Sequence, residues 1–166
     1  MRRIVAVLAA LATLVLLSSV VTAADRGVRT LGSERVVPNA MVQATLRFQP
    51  GMIKVASGGE ITFTHADDGT APHTITVVRS FPGATLDEIF ACGNPGGDCA
   101  NALAAHAAGG FTPVVNVGAA GLDEPGDSLF LFDDQSVTAD VSAPPGTTLK
   151  YLCAIHPWMQ GTIQVQ

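Results

Sequence analysis

The tightest constraint on this chain is its punctuation. From Met41 onward, short runs are cut by Pro50-Gly51, by Ser57-Gly58-Gly59 and by Pro144-Pro145-Gly146. Proline and glycine favour chain reversal, so these cuts read as turns between short strands. Within the runs, apolar and polar residues alternate. Ile61, Phe63 and His65 share one face while Thr62 and Thr64 share the other, and His73, Ile75 and Val77 repeat the pattern. A period of two is the mark of a half-buried strand. The runs Val42–Phe48, "MIKVA", "EITFTH", "HTITVV", "SVTADVSA", "TTLKYLC" and "GTIQV" give about seven to eight strands. Turn signals at such spacing predict an all-β sandwich.

One stretch breaks the cadence. From about residue 80 to residue 128 the chain is rich in Gly and Ala, and "CANALAAHAAGG" has a helical composition with a Gly-Gly stop. We read it as one long, partly helical insertion, of a length that in a compact domain is usually functional or partly mobile. Cys92 and Cys99 flank Asn94-Pro95-Gly96-Gly97, a strong turn, and an oxidising compartment would bridge them. His106 has no apparent partner in the Ala-rich run and is expected at the surface. Met41 and Met52 read as strand packing.

The N-terminus predicts export. Arg2 and Arg3 precede an apolar run from Ile4 to Leu17, and Val21-Thr22-Ala23 supplies small residues for cleavage before Ala24. Residues 1–23 are thus expected as a signal peptide, 24–40 as a linker or N-terminal arm, and 41–166 as the domain. If the apolar segment were retained, it would anchor the chain to a membrane. Beyond it, seven Lys and Arg face fourteen Asp and Glu. With no basic patch, nucleic acid is excluded as a partner, and the acidic field would steer a cationic protein.

An odd cysteine in an exported protein needs an occupation. Cys153 lies in "KYLCAIHPWMQGTIQVQ", with His156 and Met159 at three-residue intervals. Two imidazoles and a thiolate in a plane, with a weak axial thioether, suit a copper ion in both of its common oxidation states. The second imidazole must come from another strand. His73 shares its face with Ile75 and Val77 and should point inward, as Cys153 should with Tyr151. His65 has the same inward parity; it is either a competing ligand or a hydrogen-bonded histidine at a strand end.

"APHTITV" together with "YLCAIHPWMQGTIQV" resembles the cupredoxins, the type 1 or blue copper proteins of the amicyanin and plastocyanin kind, and the Cys-x-x-His-x-x-Met spacing most resembles that of amicyanin, plastocyanin having a longer His-to-Met gap. The likeness covers roughly residues 41–78 and 129–166 and fails across the insertion. It implies a Greek-key β-sandwich and one type 1 copper ion on the metal ligands His73, Cys153 and His156, with Met159 axial. It implies a one-electron carrier with no catalytic residues, acting as a monomer in the periplasm or at the cell surface on a redox protein partner. Thr74 stands where the family often has Asn, and keeps the backbone N–H that faces the sulfur. Trp158 is expected at the contact surface, beside an exposed edge of His156. Multicopper enzymes on this fold need His-x-His pairs, and a binuclear centre needs a second loop cysteine; the sequence has neither. A copper-binding or copper-resistance protein without electron-transfer duty is the alternative reading.

Overall fold

The computed structural model describes residues 27–166; the expected signal peptide lies outside them. Strands run in the order β1 (Gly27–Leu31), β2 (Glu34–Val37), β3 (Met41–Ala44), β4 (Arg47–Gln49), β5 (Met52–Val55), β6 (Gly59–Thr64) and β7 (His73–Val78). Helices α1 (Leu86–Phe90) and α2 (Asp98–Ala108) follow, joined through a 3-10 turn at Ala91–Gly93. The chain then returns to β8 (Val114–Val115), β9 (Ser128–Leu131), β10 (Ser136–Val141), β11 (Thr148–Leu152) and β12 (Gln160–Val165). One sheet has the order β10-β6-β1-β4 and the other β5-β12-β11-β7-β9-β8, while β2 and β3 form a separate hairpin. The expected β-sandwich with a partly helical insertion is thus present, with more strands than the sequence suggested.

The extra strands come from two places. Residues 27–37, expected as an irregular arm, are structured: β1 pairs parallel with β6 and antiparallel with β4, in the middle of its sheet. The run Val42–Phe48 is not one strand either. It breaks at Thr45 and Leu46, where the chain passes from the hairpin into the sheet. Gly32 makes the crossing possible: it holds φ +124°, and a Cβ there would collide with the Thr45 carbonyl.

The core forms where the alternating faces meet. Ile61 and Phe63 of β6, Ile75 and Val77 of β7, Leu129 and Leu131 of β9, and Ile163 of β12 are buried together. Tyr151 lies at the centre, with ring centroids of Phe48 and Phe63 at 5.1 and 5.7 Å. On the outer face of β6, the hydroxyls of Thr62 and Thr64 pair with Thr138 and Ser136 of β10 at 2.9 Å each. Such cross-strand pairs fix register on a wet face. Met41 and Met52, read as packing residues, are largely exposed.

All six residues of β7 are buried. The inward residues face the sandwich, and the outward ones are roofed by the insertion. Cys99, Ala102 and His106 line one face of α2, at spacings of three and four. Cys99 and Ala102 pack with Val78, Leu152 and Ala154 in a second, smaller core. The Cys92–Cys99 disulfide holds the start of the helix, and the chain leaves α2 at the expected Gly109-Gly110. His106 is therefore buried, not at the surface. Its Nδ1 lies 2.8 Å from the Thr112 carbonyl and its Nε2 2.9 Å from the Ser128 hydroxyl.

Gly161 stands opposite Tyr151 in the β11–β12 register, and a Cβ there would collide with the phenol ring. Gly161→Ala is expected to overpack the centre of the sandwich and to cost about 1–3 kcal/mol. Urea unfolding of the purified variant measures it; unchanged stability would mean that the ring moves aside freely.

Candidate metal centre

The sequence-expected donors come from two adjacent strands and one loop. His73 opens β7, and Cys153 directly follows β11. The loop from Cys153 to Met159 is tied shut by two backbone bonds: Met159 N–H donates to the His156 carbonyl at 2.8 Å, and Cys153 N–H donates to the Met159 carbonyl at 3.0 Å. Antiparallel pairing of β11 with β7 sets Leu152 opposite Thr76, so the chain beyond β11 runs past the start of β7.

His73, Cys153 and His156 converge as a buried group. Sγ of Cys153 lies 3.6 Å from Nδ1 of His73 and 3.6 Å from Nδ1 of His156, and the two Nδ1 atoms are 3.2 Å apart. A point about 2.0 Å from all three atoms lies in their plane, and metal–imidazole bonds measure roughly 2.0–2.1 Å. Relative exposures are 0% for His73 and Cys153 and 6% for His156. Met159 is equally buried and shares the core cluster of Cys153.

Each imidazole turns its other nitrogen toward a carboxylate. Nε2 of His73 is 2.8 Å from Oδ2 of Asp67, and Nε2 of His156 is 3.5 Å from Oε1 of Glu34. The His73 N–H is not aimed squarely at the oxygen, yet neither atom has a hydrogen-bond partner elsewhere. Asp67 is anchored in turn, accepting the Gly69 N–H at 3.0 Å. Burial alone would raise its pKa, but Thr30, His73 and the Gly69 N–H together hold it below 3.8, so it is charged. Carboxylates in this position fix the tautomer that leaves Nδ1 free to bind metal.

Burial lowers the pKa of His73 to about 4, against the raising effect of Asp67, and it lowers that of His156 as well. Both rings are therefore neutral at neutral pH. Burial pushes the Cys153 thiol up, although the Thr74 backbone N–H, 3.4 Å from the sulfur, favours its thiolate. With Nε2–H tautomers, two Nδ1 lone pairs face each other at 3.2 Å beside a sulfur. That arrangement repels itself unless a cation or a proton lies between, and the soft thiolate with two imidazoles suits copper. The donor set fits the group.

His65 takes the second role foreseen for it. Its Nε2 lies 3.0 Å from the Ala71 carbonyl, and its ring packs against that of His73 at 4.9 Å. It also joins Asp67 and His73 in a second donor group, but its Nε2 is committed to the carbonyl. His156 departs from expectation: Glu34 of the hairpin covers its outer edge, and Trp158 packs edge-on at 5.3 Å. Sequence reasoning passed over Asp67, visible only as half of an acidic pair, and Glu34, placed in the supposed arm. Neither carries a local pattern that points at a histidine.

No family profile and no curated protein sequence matches the chain. Among solved structures it is similar to a purple cupredoxin from Nitrosopumilus maritimus, at 16% identity and a TM-score of 0.44, covering 84% of this chain and 98% of that one. It is similar also to auracyanin A, a "blue" copper protein from Chloroflexus aurantiacus, at 17% identity and a TM-score of 0.47 with the same coverages. A variant of amicyanin in its Cu(I) form aligns at 14% identity and a TM-score of 0.40, covering 86% of this chain and 85% of that one.

The histidine shifts give the metal-free protein a defined acid sensitivity. His73 titrates near 6.5 when unfolded and near 4 when folded, so the unfolded chain binds more protons between those values. Stability is complete above about pH 6.5 and falls as pH drops toward 4, by up to about 3 kcal/mol for this residue. Asp67 adds its own loss only below 3.8. Urea midpoints of metal-free protein across this range test it; a flat profile would contradict the burial of neutral His73.

Proposed function

We propose that the protein is an exported one-electron carrier holding a single type 1 copper ion on His73, Cys153 and His156, with Met159 as the axial ligand. One observation carries the reading: two imidazole nitrogens and one thiol sulfur form a buried triangle of copper-binding size. Copper bound there would supply reversible exchange of one electron between Cu(II) and Cu(I).

The protein's part is to hold the donors still. His73 is fixed by β7 and Asp67, and Cys153, His156 and Met159 by one tight loop with two internal backbone bonds. Donors that do not move between oxidation states leave little structural reorganisation to oppose electron exchange. Neutral imidazoles present lone pairs without prior proton loss, and Cys153 gives up its proton when metal binds. Burial of all three donors excludes water and leaves a substrate no approach, which supports a carrier in preference to an enzyme.

The surface near Trp158 supports a protein partner. Val42, Ala44, Leu86, Ile89, Phe90 and Trp158 line a shallow apolar groove of about 380 Å³. Leu86 and Phe90 are largely exposed, and Phe90 packs edge-on to Trp158 at 6.0 Å. Asp87 and Glu88 lie on the same short helix. An apolar centre with an acidic margin suits a cationic redox partner met by a monomer.

Absorption and EPR spectra of the copper-loaded mature protein test the assignment. One copper per chain and an intense blue thiolate-to-copper band are expected, and Cys153→Ser should abolish the band. A coloured Cys153→Ser protein would refute the site.

Met159→Gln should keep the colour and lower the reduction potential, because the axial ligand tunes the site more than it binds. Spectroelectrochemistry reads the shift, and complete loss of copper from this variant would exclude an axial role.

A further inference from the structure

Behind the three donors runs an unbroken line of buried hydrogen bonds that ends in the insertion. Ala154 N–H donates to Oγ1 of Thr74 at 2.7 Å. The Thr74 and Thr76 hydroxyls are 2.9 Å apart, and those of Thr76 and Ser128 are 2.8 Å apart. Oγ of Ser128 is 2.9 Å from Nε2 of His106, whose Nδ1 is 2.8 Å from the Thr112 carbonyl oxygen. Thr74, Thr76, His106 and Ser128 have no exposed surface.

Both ends of this line have fixed polarity, so the middle does too. A carbonyl oxygen only accepts, so Nδ1 of His106 carries a proton. Burial lowers the basicity of the ring; it is neutral, and Nε2 is an acceptor. Each hydroxyl has one proton to give. Ser128 gives its proton to His106, Thr76 gives its proton to Ser128, and Thr74 gives its proton to Thr76. The Thr74 oxygen meanwhile accepts from the Ala154 backbone. The Thr74 hydroxyl also reaches the sulfur of Cys153, where a side-chain hydrogen bond favours the thiolate, so that sulfur competes with Thr76 for the Thr74 proton.

We propose that His106, Ser128 and Thr76 are positioning residues of the metal centre, acting through Thr74 to draw its hydroxyl proton away from Cys153 Sγ. The sulfur then relies on its backbone donors, that of Thr74 at 3.4 Å among them. Hydrogen bonds to a ligand sulfur tune the potential of a copper–thiolate centre; one fewer leaves more electron density on sulfur and holds the potential down. This inference rests on the copper reading for its effect on potential, but not for the hydrogen-bond order itself.

The test therefore begins on the metal-free full-length protein. Long-range proton–nitrogen NMR should find His106 neutral with its proton on Nδ1. Thr76→Val removes the acceptor for Thr74 at nearly constant size, so the Thr74 hydroxyl turns to Cys153 and the infrared S–H stretching band shifts. Ser128→Ala should act alike, because Thr76 then returns its proton to Thr74. Thr76→Ser, which keeps the hydroxyl, should restore the parent band. In the copper-loaded protein, Thr76→Val and Ser128→Ala should raise the reduction potential and Thr76→Ser should not. A charged or Nε2-protonated His106 would overturn the proposal, as would an unmoved S–H band in both Thr76→Val and Ser128→Ala. Equal shifts in Thr76→Val and Thr76→Ser would overturn it too. If copper does not bind, the NMR and infrared readings still decide the hydrogen-bond order, and only the proposed function fails.

Discussion

The pairing of β11 with β7 sets Leu152 against Thr76 and Tyr151 against Val77, and the rest of the centre follows from that register. It brings the end of β11 alongside the start of β7, so that Thr74 reaches Cys153 with its backbone N–H and Ala154 with its hydroxyl. Side chains in a strand alternate, so a slip by one residue would turn His73 away and put Thr74 in its place. Two packing facts resist such a slip. Tyr151 fits only over a residue without a side chain, and Gly161 stands opposite it. The outward residues Thr76 and Ser128 pair by hydroxyls across β7 and β9, where a displaced strand would bury them unpaired.

β7 has two distinct faces, and the molecule uses both. The inward face offers His73, Ile75 and Val77 to the candidate metal centre and the sandwich core. The outward face offers Thr74, Thr76 and Val78, which would be ordinary solvent-side residues in a two-layer sandwich. Here α2 roofs them, and burying hydroxyls obliges them to find partners. The insertion supplies those partners through His106 and the segment leading to Ser128. A segment that looks like an ornament in the sequence thus completes the wall behind the ligand loop.

Much of this was legible because it is written locally. The alternation in "EITFTH" and "HTITVV" gave the strands and their inward faces, the Gly-Gly after the Ala-rich run gave the end of α2, and the short spacing of Cys92 and Cys99 gave their bridge. The donors could be picked out because soft-metal chemistry admits few residue types, and the likeness to blue copper proteins then named them as a set. What escaped was nonlocal. β1 pairs in parallel with β6, thirty-five residues away, and nothing in "GVRTL" announces that neighbour. Glu34 and Asp67 matter only because the fold sets them beside His156 and His73. His106 was misread because its hydrogen-bond partners lie six and twenty-two residues further on, outside the helix that carries it.

The burial of β7 on both faces also bears on how the molecule breathes. A central strand roofed on one side and packed on the other exchanges its amide hydrogens only through openings close to global unfolding. His73 therefore sits on an element that burial makes slow to open. His156 does not: it belongs to a loop, backed by a hairpin that pairs with neither main sheet. Local fluctuation that parts the hairpin from the loop would free His156 while leaving His73 in place. The candidate centre thus has one donor clamped by a buried strand and one held by a surface hairpin, so a metal bound there would come and go by way of His156.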